Sequence, residues 1–172
     1  MSTAIRHFKE EDIPYKVKWI NDEKNNRYLH YELPLREDKT LQWFKSLKER
    51  RDRADYTITY NGEPVGIIGL LNIDFEKKNA EYYICVGEEK FKGKGIAKNA
   101  TDLLIKESQR KFGLKKIYLY TEVDNIRAQK LFEKISFEKK QLLKNHLFYN
   151  GRNIDRFLYE LNVDDYILSA GE

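Results

Sequence analysis

Apolar residues recur along the chain at two spacings, one typical of helices and one typical of strands. Two helices are predicted over residues 11–20 and 40–50, because apolar side chains in each return every three or four positions and share one face. Strands are predicted over residues 56–60 and 65–75, where β-branched, aromatic and other apolar residues dominate. Asn61-Gly62 between them is the strongest short signal of a hairpin.

The central unit of the pattern is residues 80–112, with the sequence AEYYICVGEEKFKGKGIAKNATDLLIKESQRKF. It predicts a strand over residues 80–86, then a loop rich in lysine and glycine, then a long amphipathic helix that begins at Gly95. Gly113 is the residue type expected just past the end of a helix.

The rest of the chain predicts a strand over residues 117–123, a shorter helix from Asn125, and a second hairpin turning at Asn150-Gly151. Residues 162–172 resemble a tail. With a short opening strand over residues 3–8, the predicted order is β-α-α-β-β-β-α-β-α-β-β. This order predicts a mixed α/β domain of about seven strands and four helices, in which one strand–helix–strand crossover is locally parallel, rather than a doubly wound fold.

Composition narrows the class of protein. The chain has 172 residues, of which 35% are charged and 41% hydrophobic, so we expect one soluble globular domain over residues 1–172. A single cysteine, Cys85, excludes a disulfide or a zinc framework built on cysteines and predicts a cytoplasmic protein. No apolar run is long enough for a signal core or a membrane span, so no membrane partner is expected.

The loop KFKGKGIA at residues 90–97 has the features of a phosphate-binding segment. Two glycines allow close approach of a ligand to the backbone, and a helix begins directly after them. Three lysines of the loop, together with Lys98 just after it, add positive charge. The Walker A pattern fails because Gly87 lies six residues before Gly93 instead of five, and because Gly95 follows Lys94 where Ser or Thr is needed. The dinucleotide-binding pattern fits Gly93 and Gly95 but has Lys98 at the position of its third glycine. A solvated lysine loop that only caps a helix is the alternative.

Two motifs resemble those of the GNAT N-acetyltransferases. The loop fits the acetyl-CoA pattern Arg/Gln-x-x-Gly-x-Gly/Ala except at its first place, where Lys90 stands. Residues 125–137, NIRAQKLFEKISF, resemble the second signature, N-x-x-A-x-x-L-Y-x-x-x-G-F, and lie on the expected later helix. The resemblance covers nearly the whole chain. It is strongest to the branch with spermidine, ribosomal-protein N-terminal and nucleotide-amino-sugar acetyltransferases.

The resemblance implies a GNAT-type, mostly antiparallel sheet whose central parallel pair splays to admit the pantetheine arm of acetyl-CoA. It implies backbone contacts to that arm from the strand, a pyrophosphate on the loop amides, and an asparagine that hydrogen-bonds the arm. No metal is expected for a separate reason, because His7, His30 and His146 show no metal-ligand spacing. The residues implied in acetyl-CoA binding are Ile84, Cys85, Val86, Lys92, Gly93, Lys94, Gly95, Ile96, Ala97 and Asn125.

The catalytic residues are less clearly marked. Glu81 is the predicted base, because it begins the strand that carries Cys85 and an alkyl amine must lose a proton before it attacks. The alternative is that Glu81 pairs with a surface lysine. Phe132 stands where the family has its tyrosine acid. Either the thiolate leaves unaided, which gives a slower enzyme, or Tyr118, Tyr120 or water takes the place of the acid. Ser136 stands where the family has glycine.

The expected acceptor is a primary amine on a small molecule. We expect residues 21–32 and the second hairpin, which turns at Asn150-Gly151, to form its binding site. A nucleotide-linked amino sugar ranks first, and a polyamine or a protein N-terminus is the alternative. A tight carboxylate cluster for a polyamine is not visible among Glu32, Glu37, Asp38 and Glu81.

Two other classes stay open. The first is a non-catalytic module that binds coenzyme A, which the absence of the family's tyrosine at Phe132 keeps open. The basic run at residues 48–53 leaves a nucleic-acid binder, although a net charge of only +4 makes nucleic acid the less expected partner. A homodimer is expected only by analogy with relatives.

Overall fold

The computed structural model describes residues 2–171, which form a seven-stranded sheet in the order β1-β2-β3-β4-β5-β7-β6. The pair β4 and β5 is parallel, whereas β1–β2, β2–β3, β5–β7 and β6–β7 are antiparallel. The predicted mixed, mostly antiparallel sheet is therefore confirmed. The strands are β1 (Thr3–His7), β2 (Ala54–Tyr60), β3 (Glu63–Asp74), β4 (Asn79–Val86), β5 (Lys116–Glu122), β6 (Glu138–Tyr149) and β7 (Arg152–Asn162).

Residues 2–171 contain six α-helices, two more than the sequence predicted. The additional helices are one short turn in the predicted loop after the first helix and one at the carboxyl end. None of the helices in this part of the chain has the length and apolarity needed to cross a membrane. The helices are α1 (Ile13–Asn21), α2 (Glu23–Asn26), α3 (Glu37–Ser46), α4 (Ile96–Phe112), α5 (Ile126–Ile135) and α6 (Val163–Ala170).

The prediction of a tail at residues 162–172 is wrong where α6 forms. The Asn162 side chain accepts a hydrogen bond from the Asp165 amide at 2.9 Å, which caps the first turn. The negative charge of Asp164 in that turn interacts favourably with the dipole at the helix N-terminus. Its carboxylate also accepts a hydrogen bond from the Gln109 side chain at 2.6 Å. Val163 is fully buried, so the helix is anchored at its first residue.

The chain forms two compact units, and one comprises the residues up to Ile73 together with Tyr82–Leu104. Its hydrophobic core includes Trp19, Ile20 and Ile67, with aromatic side chains of α3 packed against them. Asn61 and Gly62 have φ of 51° and 84°, as the predicted tight turn between β2 and β3 requires. The Tyr82 and Thr101 hydroxyls lie 2.7 Å apart and tie α4 to β4.

The other unit comprises Asp74–Glu81 and the residues from Ile105 onward. The parallel ladder lies within it and pairs Asn79–Glu81 with residues 116–118. Helix α5 buries Gln129, Phe132 and Ile135. Gln129 donates to the Val123 carbonyl at 2.8 Å, before the helix, and the Phe132 ring contacts Tyr159 of β7. The β6–β7 hairpin turns at Asn150-Gly151, where φ is 51° and 76°, as predicted.

Candidate active site

The glycine-containing loop lies between β4 and α4, in the first unit. It begins with Gly87, whose amide donates to the Val65 carbonyl at 2.8 Å, and one 3₁₀ turn follows at Glu89–Phe91. Gly93 and Gly95 have φ of 79° and 76°, in the left-handed region that favours glycine. These backbone angles explain both glycines without reference to any ligand.

The start of α4 nevertheless fits a diphosphate. Among residues 2–171, no atom apart from those of the adjacent residues lies within 4 Å of the position that a Cβ would take at Gly93 or Gly95, so the backbone there faces open space. Helix α4 follows directly at Ile96, and a helix leaves its first amides without intrahelical partners and with a favourable dipole for an anion. Lys94 and Lys98 are exposed beside them.

The other two lysines of the loop have protein partners. The Lys92 ammonium lies 2.8 Å from the Asn25 side-chain oxygen and 3.0 Å from Glu89. Lys90 lies 3.5 Å from Glu63, at the start of β3. The predicted positive charge around the loop is therefore partly neutralised within the protein.

The carboxyl end of β4 places Ile84, Cys85 and Val86 as half-buried residues. The Cys85 carbonyl lies against Gly66 of β3, where an added Cβ would come within 2.4 Å of it. Burial raises the pKa of the Cys85 thiol to about 11, so the thiol stays protonated at neutral pH. This supports the view that Cys85 is a strand residue and not a nucleophile.

Glu81 lies in the second unit, where it is the parallel-strand partner of Tyr118. Burial, and then the charge of Glu81, raises the pKa of the Tyr118 hydroxyl. The Tyr118 ring contacts Tyr120 edge-on, with ring centroids 5.8 Å apart. A carboxylate that can accept a proton thus lies beside a hydroxyl that retains one.

Arg156 and His146 extend this cluster along β7 and β6. The Arg156 guanidinium lies 4.8 Å from the Tyr120 ring centroid, and its Nε–H donates to His146 Nδ1 at 3.1 Å. Burial, and then the nearby arginine, lowers the pKa of His146, so the ring is neutral at pH 7. Sequence reasoning missed Arg156, although its period-two alternation with Leu158 and Glu160 on β7 places it on one face of that strand.

Asn125 caps α5. Its side-chain oxygen accepts a hydrogen bond from the Ala128 backbone amide at 3.2 Å, and the backbone N–H of Asn125 donates to the Glu122 carbonyl at 2.9 Å. The Nδ2 group is the part of this side chain that remains to donate to a ligand. The predicted contact of Asn125 with the pantetheine arm stays a prediction.

Phe132 lies on the buried face of α5 and is 8% exposed. Its ring contacts Phe137 edge-on at 5.9 Å and lies 6.5 Å from the Tyr159 ring. The Tyr159 hydroxyl donates a hydrogen bond to Glu133 Oε1 at 2.9 Å. The position that corresponds to the family's tyrosine is thus filled by an apolar core ring.

The predicted acceptor segment, residues 21–32, contains core residues as well as polar ones. Tyr31 packs against the first unit's core, and burial raises the pKa of its hydroxyl to about 12. Within the basic run at residues 48–53, Arg50 and Arg53 each form two hydrogen bonds to the aspartate two residues further along. Two of the four basic side chains of the run are therefore paired with carboxylates. Among residues 2–171 no group of three or more His, Cys, Asp or Glu side chains is arranged to hold a metal ion.

Comparison with known proteins decides the family. The family described as Acetyltransferase (GNAT) domain matches residues 3–138, well over half of the chain. The chain is a GNAT acetyltransferase. This confirms the predicted class of activity, an N-acetyltransferase that takes its acetyl group from acetyl-CoA.

The curated relatives of this GNAT acetyltransferase include spermidine N(1)-acetyltransferases. It is 26% identical to the one from Escherichia coli (strain K12) over 153 residues, which are 88% of this chain and 81% of that protein. It is 26% identical to the one from Vibrio cholerae, over 81% of this chain and 83% of that protein. It is 30% identical to the uncharacterized N-acetyltransferase p20 of Bacillus licheniformis, over 70% of this chain and 67% of that protein.

A solved structure confirms the fold. The spermidine N-acetyltransferase from Vibrio cholerae, solved in complex with CoA and spermine, superposes with a TM-score of 0.87 and covers 96% of this GNAT acetyltransferase and 98% of that chain. The two sequences are 22% identical in that superposition, so this likeness is evidence for the fold alone. The individual residues predicted to bind acetyl-CoA, and Glu81 as the base, stay predictions.

Proposed function

We propose that this GNAT acetyltransferase transfers the acetyl group of acetyl-CoA to a primary amine of a polyamine such as spermidine. The observation that carries the proposal is the similarity to spermidine N(1)-acetyltransferases over 88% of the chain. A nucleotide-linked amino sugar, which the sequence motifs favoured, is less well supported than the polyamine alternative.

The chemistry of Glu81 agrees with a polyamine acceptor. Alkyl amines have a reference pKa near 10.4, so a polyamine enters with its amines protonated and one of them must lose a proton before it attacks the thioester. A carboxylate attracts the cation and accepts that proton. We assign this role to Glu81, and we assign the donor to the loop amides of residues 92–97, the β4 backbone at residues 84–86 and Asn125.

One observation favours the second candidate, a nucleotide-linked amino sugar. The half-buried guanidinium of Arg156 contacts the Tyr120 ring and the neutral His146 ring. A guanidinium with such partners suits a phosphate or carboxylate of the acceptor, and a neighbouring tyrosine ring suits a base or sugar. A polyamine has no anionic group for Arg156 to bind.

A thiol-release assay with acetyl-CoA separates the candidates. The panel holds spermidine, spermine, putrescine and a uridine-diphosphate amino sugar. We expect the highest kcat/KM with spermidine or spermine. A higher kcat/KM with the nucleotide sugar would contradict the polyamine proposal and identify the nucleotide sugar as the preferred acceptor.

A thermal-shift titration of acetyl-CoA tests the donor site independently of the acceptor. We expect the melting temperature to rise with acetyl-CoA concentration, because a ligand that binds only the folded state stabilises it. A rise in melting temperature without turnover of any amine would identify a non-catalytic module that binds coenzyme A. No rise at saturating acetyl-CoA would contradict the donor site itself.

A further inference from the structure

Asn25 on α2 joins the helical segment after α1 to the loop at residues 87–95. Its Nδ2 group donates to the Trp19 carbonyl at 3.0 Å and to the Gly87 carbonyl at 3.0 Å. Its Oδ1 accepts from the Lys92 ammonium at 2.8 Å. A single side chain therefore contacts the loop at two points five residues apart and also holds the end of α1.

Trp19 supports the same junction from its ring. Its indole N–H donates to Glu88 Oε1 at 2.8 Å, next to the point where Asn25 holds the Gly87 carbonyl. The Trp19 ring also occupies the space beside Gly87, since an added Cβ there would come within 2.1 Å of it. The first residues of the loop are thus packed and bonded against α1.

Beyond Phe91, whose ring packs on Tyr60 with centroids 5.4 Å apart, the loop is less tightly packed by the described residues. Gly93 and Gly95 face open space, and glycine loses more conformational freedom on ordering than any other residue. Between the packed start at Gly87 and the first turn of α4, the hydrogen bond from Lys92 to Asn25 connects the loop to α2. A loop held in its binding conformation before the ligand arrives loses less entropy on binding.

We propose that Asn25 is a positioning residue for the acetyl-CoA loop. Both of its amide hydrogens are donated to carbonyls and its oxygen accepts a charged donor, so the side chain uses each kind of group that it has. No other residue type of this size both donates to two carbonyls and accepts from an ammonium. The inference rests on the proposed acetyl-CoA site and adds a residue to it that the family motifs do not contain.

The neighbouring Asn26 provides a matched control. Its Nδ2 donates to the Ile20 carbonyl at 3.0 Å, which is the same kind of contact with the end of α1. Asn26 has no hydrogen bond to the loop at residues 87–95 among the described residues. Asn25→Ala and Asn26→Ala therefore each remove one bond to α1, but only Asn25→Ala releases the loop.

Two measurements test the inference on the full chain, with circular dichroism as the check on folding. The first is amide hydrogen exchange of residues 87–95 without ligand, and the second is the Kd of acetyl-CoA by calorimetry. In Asn25→Ala we expect faster exchange of the loop amides and a Kd raised about tenfold, as the loss of a hydrogen bond to a charged group implies. Asn26→Ala should match wild type in both.

A third variant guards against a general loss of stability. Asn25→Asp keeps the size of the side chain and its contact with Lys92, but a carboxylate cannot donate to the Trp19 and Gly87 carbonyls. We expect it to raise the Kd as Asn25→Ala does. Equal effects of Asn25→Ala and Asn26→Ala, or a wild-type Kd and loop exchange in both Asn25 variants, would overturn the inference. If wild type itself fails to bind acetyl-CoA, the donor site is wrong and the inference fails with it, which is a distinct result.

Discussion

Glu81 on β4 is the parallel-strand partner of Tyr118 on β5, and Glu160 on β7 is the antiparallel partner of the same tyrosine. The two glutamates differ in their surroundings. Glu160 forms a salt bridge with Lys116 at 3.3 Å, whereas the charge of Glu81, after burial, helps to raise the pKa of Tyr118. Tyr118 therefore has a glutamate as its strand partner on each side. Because Glu160 is paired with Lys116, Glu81 is the candidate base.

Glu81→Gln should lower kcat for the acetylation of spermidine by roughly 10²–10⁴-fold, the usual contribution of a general base. The amide keeps the shape of the side chain but cannot accept the proton of the amine. The measurement is kcat against pH, where the acidic limb of the wild-type profile should disappear in the variant. Glu160→Gln is the control and should retain wild-type kcat. Equal activity of the two variants would show that Glu81 is not the base.

Phe132→Tyr should raise kcat by up to about 10²-fold, because it restores a hydroxyl where the family has its acid. Wild type releases a thiolate whose reference pKa is about 8.5, so it is already a fair leaving group, and the gain should be at the low end of the usual range. The matched control is Phe137→Tyr, since Phe137 is the ring that contacts Phe132 edge-on and is 2% exposed. It should not raise kcat. An unchanged kcat in Phe132→Tyr would mean that this position takes no part in the proton transfer.

The features that the sequence predicts best are those that one or two residues decide locally. Asn61-Gly62 and Asn150-Gly151 both adopt positive φ in tight turns, as their residue types require. Gly113 likewise has a φ of 62° just past the end of α4, as predicted, whereas the predicted helix start at Gly95 lies one residue early because Gly95 itself has a φ of 76°. The order of strands and helices follows from these points and from the spacing of apolar residues between them.

The features that the sequence could not predict depend on partners far along the chain. Asn21, Asn25 and Asn26 are alike in the sequence, but only Asn25 reaches Gly87, 62 residues away. Arg156 looks like any polar position of a strand until β5 and β6 supply Tyr120 and His146. Helix α6 escapes prediction for a different reason, because its capping Asn162 is also the last residue of β7 and the sequence after it resembles a tail.

Ser136→Gly should stabilise the protein. Ser136 ends α5 at a φ of 100°, a left-handed conformation in which its amide donates to the Glu133 carbonyl at 3.1 Å. The turn is therefore kept although serine replaces the family's glycine, and the Cβ there is strained. Removing it should raise the free energy of unfolding by about 1 kcal/mol and the melting temperature by roughly 2–4 °C. Ser136→Ala retains the Cβ and should give no gain; a gain as large as that of glycine would refute the strain.

Lys16 on α1 is a buried cation in an aromatic setting. It is 6% exposed, and its ammonium lies 3.5 Å from the ring centroid of Trp43. Burial lowers the pKa of Lys16 to about 8; the Asp55 charge opposes this and Arg53 adds to it. Folding therefore favours the neutral amine, although the Trp43 ring attracts the cation.

The free energy of unfolding should consequently rise as the pH increases from 8 to 10. In that window the unfolded chain still holds the Lys16 proton and the folded chain releases it, so the linkage favours the folded state by roughly 2 kcal/mol more at pH 10 than at pH 8. Urea unfolding at pH 8 and pH 10 should show this gain in wild type. The control is Lys18→Met, which should keep the gain because the Lys18 side chain is 68% exposed. Lys16→Met removes the titrating group and should lose the gain. Parallel pH profiles for wild type and Lys16→Met would show that Lys16 remains charged in the folded protein, held by Trp43 and Asp55.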